Sequence, residues 1–221
     1  MGKLVVTEFI SLDGIIEDPG GSEGSEHGGW SFRHPAPDGE QFKGDELRDS
    51  DVQLLGRVTY EGFAAAWPAM EEATGDYGKK MNAMPKVVVS TTLTEPTWNN
   101  TTIISGNVAD EVARLKARYD GDILVQGSAT LAQTLAEHGL VDEYRLMVHP
   151  VVLGTGKRLF SGSAAGTDLQ LVDSRKVGPD VLLLIYRPAS RQAGTPAASR
   201  PRRGRARAPV RSRSEVLNDM G

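Results

Sequence analysis

The chain has 221 residues, 39% of them apolar, enough for one sizeable core with or without an appendage. Its formal charge of -4 hides an asymmetry: residues 188 to 221 hold eight arginines against two carboxylates, so the rest of the chain is distinctly acidic. Cysteine is absent, which excludes disulfides, thiol nucleophiles and thiolate metal sites, and no apolar run approaches the roughly 18 residues of a membrane span.

Lys3 to Ser11 (KLVVTEFIS) is β-branched and apolar, bounded by Asp13-Gly14, and predicts a buried strand. Residues 17 to 40 are too rich in glycine and proline for a packed element, so a long functional loop is expected. Within it Trp30 and Phe32 offer an apolar wall for a ligand, or else pins that hold the loop to the core. A short helix follows at Phe42 to Asp49, then a strand at Asp51 to Gly56 that runs straight into a helix at Arg57 to Trp67, stopped by Pro68. Residues 68 to 84 read as an irregular or partly helical connection. Strands are expected at Pro85 to Thr91 and Thr101 to Ser105, and Asn107 should cap a helix to Tyr119 with Val108, Val112 and Leu115 inward. Asp122 to Gln126 is a strand, Gly127 a turn, and Ser128 the N-cap of a helix to about His138. Tyr144 to Val152 and Val181 to Arg187 complete the strands, the last pairing with Leu169 to Lys176. The order predicts an α/β fold with a mostly parallel central sheet, helices on both faces and an antiparallel C-terminal edge. Residues 1 to 187 form that domain, and 188 to 221 are expected to be a disordered basic tail, too poor in apolar residues for a core. Its arginines permit weak, non-specific contact with nucleic acid; without interleaved aromatic residues, a solvated tail is the alternative.

The chemistry concentrates at two strand-to-helix turns. At the first, Gly56 lets a ligand approach the backbone, the N–H groups of Arg57, Val58 and Thr59 open the helix, and the Arg57 guanidinium suits a phosphate. At the second, Gln126 and Gly127 lead into Ser128, Ala129, Thr130 and Leu131, with N–H groups and hydroxyls placed for a pyrophosphate. Ser90 and Thr91 end the strand between them and suit the adenosine end of a dinucleotide. A 2′-phosphate on Arg57 would make that dinucleotide NADPH. The glycine fingerprint of the common dinucleotide fold is missing, as are the nucleophile elbow and the phosphate-gripping loop. His27, His34, His138 and His149 show no mutual metal-ligand spacing, so no metal is expected.

Together SLDG at Ser11 to Gly14, LLGRVTYEGF at Leu54 to Phe63, KVVVSTTL at Lys86 to Leu93, ILVQGSATLAQTL at Ile123 to Leu135 and VDEYRLMVHPVVLGTGKRLF at Val141 to Phe160 resemble the dihydrofolate reductase-like fold. The similar branch is the reductase domain of bacterial riboflavin-biosynthesis deaminase-reductases. The resemblance implies NADPH as hydride donor, bound through the two turns and Ser90-Thr91, with Phe9 and Ile16 at the nicotinamide. The expected substrate is a small pteridine- or aminopyrimidine-like molecule between the first strand and the Trp30 loop, with Phe32 and His149 on that side. Asp13 is the acidic residue nearest that site in sequence order and the candidate catalytic residue, with an ordinary Asp-Gly turn as the alternative. Two features depart from folate reductases. The helix carboxylate that orients a pterin has only Asp38 and Glu40 as candidates, and Gln126-Gly127-Ser128 stands where two glycines are usual. No deaminase zinc motif accompanies the reductase half. The expectation is a cytoplasmic reductase, homodimeric and with no membrane partner; the competing class is a non-catalytic nucleotide-binding module or sensor.

Overall fold

Eight strands form one sheet in the order β4-β3-β2-β5-β1-β6-β8-β7. The computed structural model describes residues 1–161 and 167–189, so the expected tail lies almost wholly outside the described residues. The strands are β1 (Leu4–Ser11), β2 (Ser50–Gly56), β3 (Lys86–Val89), β4 (Thr101–Ile104), β5 (Asp122–Gln126), β6 (Glu143–His149), β7 (Leu169–Lys176) and β8 (Leu182–Pro188). The first six in spatial order, β4 to β6, pair in parallel, and β8 and β7 add an antiparallel edge. Five α-helices accompany them: α1 (Pro37–Arg48), α2 (Arg57–Thr74), α3 (Asp76–Ala83), α4 (Val108–Arg118) and α5 (Ala129–Glu137).

Strand periodicity splits the apolar residues between two faces. Leu4, Val6, Val52, Leu54, Ile123 and Val125 point to one side and pack with Val112, Leu115, Leu131 and Leu135 of α4 and α5. Their neighbours Val5, Leu55, Val88 and Leu124 point to the other, against Leu47, Tyr60 and Met81 of α1, α2 and α3. Central strands buried on both faces read as continuous apolar runs, which is why they were legible. Each such side chain contributes about 1.5–3 kcal/mol relative to exposure.

Three expected boundaries move. Helix α1 begins at Pro37, which presets φ at a position whose N–H has no helical acceptor. Gly39 inside it looks like loop sequence, but a Cβ there would collide with Met147 Cε, so the glycine marks a close helix-to-sheet contact. Helix α2 runs through Pro68 to Thr74. The proline removes one helical hydrogen bond; Trp67 holds the turn by stacking edge-on against Phe63 and tilted on Tyr77, and Asn82 Nδ2 donates to its carbonyl at 3.2 Å. Strand β6 stops at His149, before Pro150.

A chain of charges fastens α1 to the sheet. Arg145 on β6 donates to Glu143 (2.7 Å), Asp122 (2.7 Å) and Glu46 of α1 (3.2 Å), while Arg187 takes the far oxygen of Glu143 at 2.8 Å. Elsewhere Lys86 is wholly buried without a carboxylate: its ammonium lies 4.0 Å from the Trp98 ring centre and donates to the Asn82 carbonyl at 2.6 Å. Burial lowers its pKa from 10.5 to about 8. The unfolded chain keeps this proton to higher pH than the native one, so raising pH through the interval between the two values favours the native state. Melting curves across that interval should therefore show wild type gaining stability relative to Lys86→Met; a constant difference would mean that the buried ammonium is not desolvated.

Candidate cofactor and substrate site

Parallel strands bring their carboxyl ends to one edge, where β1, β2, β3, β5 and β6 finish in Ser11, Gly56, Val89, Gln126 and His149. Helices α2 and α5 start at that edge, and neither has a side-chain hydrogen bond capping its first turn. Their leading N–H groups are thus free of such caps. Ser128 was expected to cap α5 through its hydroxyl. It stands at the cap position, but in left-handed backbone (φ 61°), and its side chain reaches across to the other turn.

The two turns are bolted together. Gly56 N–H donates to Ser128 Oγ at 2.9 Å, and Ser128 N–H donates to Thr59 Oγ1 at 3.0 Å. Gly127, between them at φ 57°, packs so closely that a Cβ would sit 3.1 Å from Thr59 Oγ1. Its N–H donates to Glu8 Oε2 at 3.1 Å, and burial pushes the Glu8 carboxyl well above its usual range, against the pull of Lys43. Thr59 thus spends its lone pair on the turn and keeps its own hydrogen for a ligand. Val58 and Thr130 are exposed, Ala129 is half-buried, and Leu131 is in the core.

Beside the first turn lies a cleft of about 370 Å³ whose lining includes Arg57, Ser90, Thr91, Ser105, Gly106 and Val108. Sequence reading placed the first three together; Ser105 and Gly106 it missed, because β4 has no motif of its own. Arg57 Nη1 holds both oxygens of Glu61 (2.9 and 2.8 Å) at the surface, a pairing weak enough to yield to a doubly charged phosphate. Ser90 Oγ accepts from Thr92 and Leu93 N–H (3.1 and 2.9 Å), so it shapes the rim.

On the substrate side the residues separate. Asp13 anchors the loop after β1, the turn role weighed for it beside a catalytic one. Ser11 Oγ donates to it at 2.7 Å, and the N–H groups of Gly154 (2.8 Å) and Leu153 (3.2 Å) do likewise. The Ser11 bond above all brings its pKa to about 2, leaving no proton to give at neutral pH. Trp30 is fully buried, with its indole N–H on the Glu17 carbonyl at 2.8 Å, and pins the loop; Phe32 is 77% exposed and forms no wall. Asp38 and Glu40 occupy the first turn of α1, and Glu40 is exposed. Ile16 is buried and Phe9 half-buried near the end of β1. The Phe9 ring lies 5.6 Å from that of His149, which also meets Trp30 (5.3 Å) and His34 (6.4 Å). His149 is buried, neither ring nitrogen has a partner among the described residues, and desolvation followed by the His34 charge lowers its pKa to about 4. It is a neutral imidazole at physiological pH.

Two buried residues of this region were missed. Glu46 accepts from Thr7 Oγ1 at 2.9 Å and from Lys43 Nζ at 3.1 Å, and Lys43 also donates to Thr7 and lies over the Phe9 ring at 5.4 Å. The signal available was Lys43, Glu46 and Leu47 at helical spacing on one face of the expected Phe42 to Asp49 helix.

A parallel sheet with an antiparallel edge and two joined turns at its carboxyl ends makes this a dihydrofolate reductase-like protein. The RibD C-terminal domain family model matches residues 2–183, and the chain belongs to that family. Among relatives, the uncharacterised protein YyaP of Bacillus subtilis (strain 168) is 31% identical over 186 residues, spanning 83% of this chain and 94% of its own. YwjB of the same organism, also uncharacterised, is 27% identical over 187 residues, 84% and 98% of the two chains. A protein assigned to riboflavin biosynthesis in Shewanella sp. PV-4 superposes with a TM-score of 0.64 at 22% identity over 85% of this chain and 99% of that one. Dihydrofolate reductase of Enterococcus faecalis, complexed with NADP(H), gives 0.57 at 14% identity over 86% and 98%. RibD of Acinetobacter baumannii gives 0.59 at 16% identity over 86% of this chain and 59% of its own. These structural likenesses concern the fold. No helix among the described residues is long and apolar enough to cross a membrane.

The joint between the turns is testable. Gly127→Ala forces a side chain into left-handed backbone and against Thr59, and should cost about 1–3 kcal/mol in urea unfolding. Gly139→Ala, also at positive φ (64°) but with nothing within 4 Å of the added carbon, serves as the control and should cost less. Equal losses would mean that the Thr59 contact carries no weight.

Proposed function

We propose that this protein is an NADPH-dependent reductase that passes a hydride to a small planar heterocycle of the pteridine or aminopyrimidine kind, with chemistry like that of the riboflavin-pathway reductases. Membership of the RibD C-terminal family supports the reductase class. The observation that carries the cofactor is the joined pair of uncapped helix starts beside the Arg57 cleft. A dinucleotide needs N–H and hydroxyl donors and no carboxylate in the lining, and the residues present fit it.

On this reading Arg57, Ser90 and Thr91 hold the adenosine end with its 2′-phosphate. The N–H groups from Arg57 to Thr59 and from Ala129 to Leu131 take the pyrophosphate, with Ser128 holding the second turn against the first. Gln126 and Gly127 underlie the nicotinamide end, with Phe9 and Ile16 against the ring. The cofactor, once bound, supplies the hydride. The protein orients the ring on Phe9, keeps water out with the buried Trp30 loop, and offers the neutral His149 as a hydrogen-bonding group to the substrate.

Titration with NADPH should raise the melting temperature and quench tryptophan emission. Arg57→Ala should weaken NADPH by about ten- to a hundredfold and NADH much less, because the charge-assisted bond to the 2′-phosphate is lost. No response to either nucleotide would refute the cofactor, and equal losses for both would remove the 2′-phosphate from Arg57. Oxidation of NADPH in the presence of dihydrofolate or 5-amino-6-(5-phosphoribosylamino)uracil then separates an enzyme from a nucleotide-binding sensor.

A further inference from the structure

The substrate side of β1 carries an unusual balance of charge. Thr7 and Phe9 project from β1 toward α1, and Lys43 and Glu46 project from α1 toward them. Both charged groups are deeply buried: the Lys43 side chain is 9% exposed and that of Glu46 0%. Burial of a charge is costly unless its bonds are made, so where those bonds go decides what the site can still bind.

Glu46 has nothing left to offer. Its Oε1 takes Arg145 Nη1 at 3.2 Å, and its Oε2 takes the Thr7 hydroxyl at 2.9 Å and Lys43 Nζ at 3.1 Å. Two cations and a hydroxyl therefore surround one carboxylate. Asp13 is tied into the Gly154 loop. Glu8 points to the opposite face of the sheet, where its Oε2 takes Gly127 N–H and its Oε1 has no partner among the described residues. On the α1 side of β1, Glu46 leaves no oxygen free for a cationic ligand laid on Phe9.

Lys43 is in the reverse position. An ammonium has three hydrogens. Two go to Thr7 and Glu46, and the nitrogen lies over the Phe9 ring, 5.4 Å from its centre. The third hydrogen is left for an acceptor stacked on that ring. The other polar group beside Phe9 is the His149 imidazole, 5.6 Å away between centroids and without a partner for either nitrogen. The side chains around Phe9 thus include one cation and one neutral imidazole.

We propose that Lys43 selects the heterocycle: it accepts a ring with a lactam carbonyl, as in an aminouracil or a 4-oxopteridine, and rejects protonated diaminopyrimidines. This rests on the reading above only in placing the ligand against Phe9. A hydrogen bond from a charged donor to the carbonyl, with like-charge repulsion of the amidinium, is worth at least about tenfold in relative affinity.

The test compares 5,6-diaminouracil with 2,4-diaminopyrimidine by ligand-observed NMR titration of the full chain, with and without NADPH, at a pH where the diaminopyrimidine carries its ring proton. Wild type should bind the uracil at least about tenfold more tightly. Lys43→Arg, which keeps the cation, should retain the preference, and Lys43→Met should lose most of it. Equal or tighter binding of the diaminopyrimidine by wild type would overturn the proposal, as would a preference unchanged in Lys43→Met or no binding of either probe. Should Lys43→Met not fold, the wild-type ratio and Lys43→Arg still decide. A lactam preference in protein that ignores NADPH would refute the cofactor reading and leave Lys43 as the selecting residue.

Discussion

Two hydrogen bonds between residues about 70 positions apart hold the carboxyl edge of the sheet together. Gly56 donates to the Ser128 hydroxyl, and Ser128 donates back to the Thr59 hydroxyl. Each closes a polar group that a buried helix start would otherwise leave unpaired, and together they set the distance between α2 and α5. The glycine between them has no room for a side chain because Thr59 fills it. Function follows from this restraint. Two uncapped helix starts are kept side by side because neither can drift from the other, and the hydroxyl that might have capped α5 is spent on the joint.

The second restraint is electrostatic and lies on the far side of β1. Arg145 gathers Glu46, Asp122 and Glu143, so α1 is attached to the sheet by a charge chain as well as by Leu47 in the core. A buried network of this kind is of small net benefit against an apolar packing of the same volume, while removing one member leaves a charge unpaired. Its value here is positional. It fixes the register of α1 over β1, and with it the place of Lys43 above Phe9.

Much of the fold was legible because the central strands are short apolar runs between glycines, and because α4 repeats Val108, Val112 and Leu115 at helical spacing. The two strand-to-helix turns were legible for a local reason: glycine and hydroxyl residues follow an apolar strand directly. What failed was non-local. Pro68 reads as a stop, yet Trp67 is held from outside the helix by Asn82 and Tyr77. Gly39 reads as loop because its reason, Met147, is more than a hundred residues away. Asp13 reads as a free acid until Leu153 and Gly154 arrive to use it. Lys43 and Glu46 fell inside the expected helix but were passed over, since a buried ion pair at helical spacing has the surface pattern of a solvated one.

Strand β5 lies between β1 and β2, with Leu4 paired to Ile123 and Gln53 to Leu124. The chain therefore makes β1 and β2 before the strand that joins them. Closing such a loop costs entropy before any contact repays it, so assembly of this sheet is slow in proportion to its long-range pairing. During synthesis the edges of β1 and β2 that face β5 stay open until β5 is released, and Gly127 and Ser128 emerge immediately behind it. The joint to Gly56 and Thr59 is therefore made by the same insertion that closes the sheet.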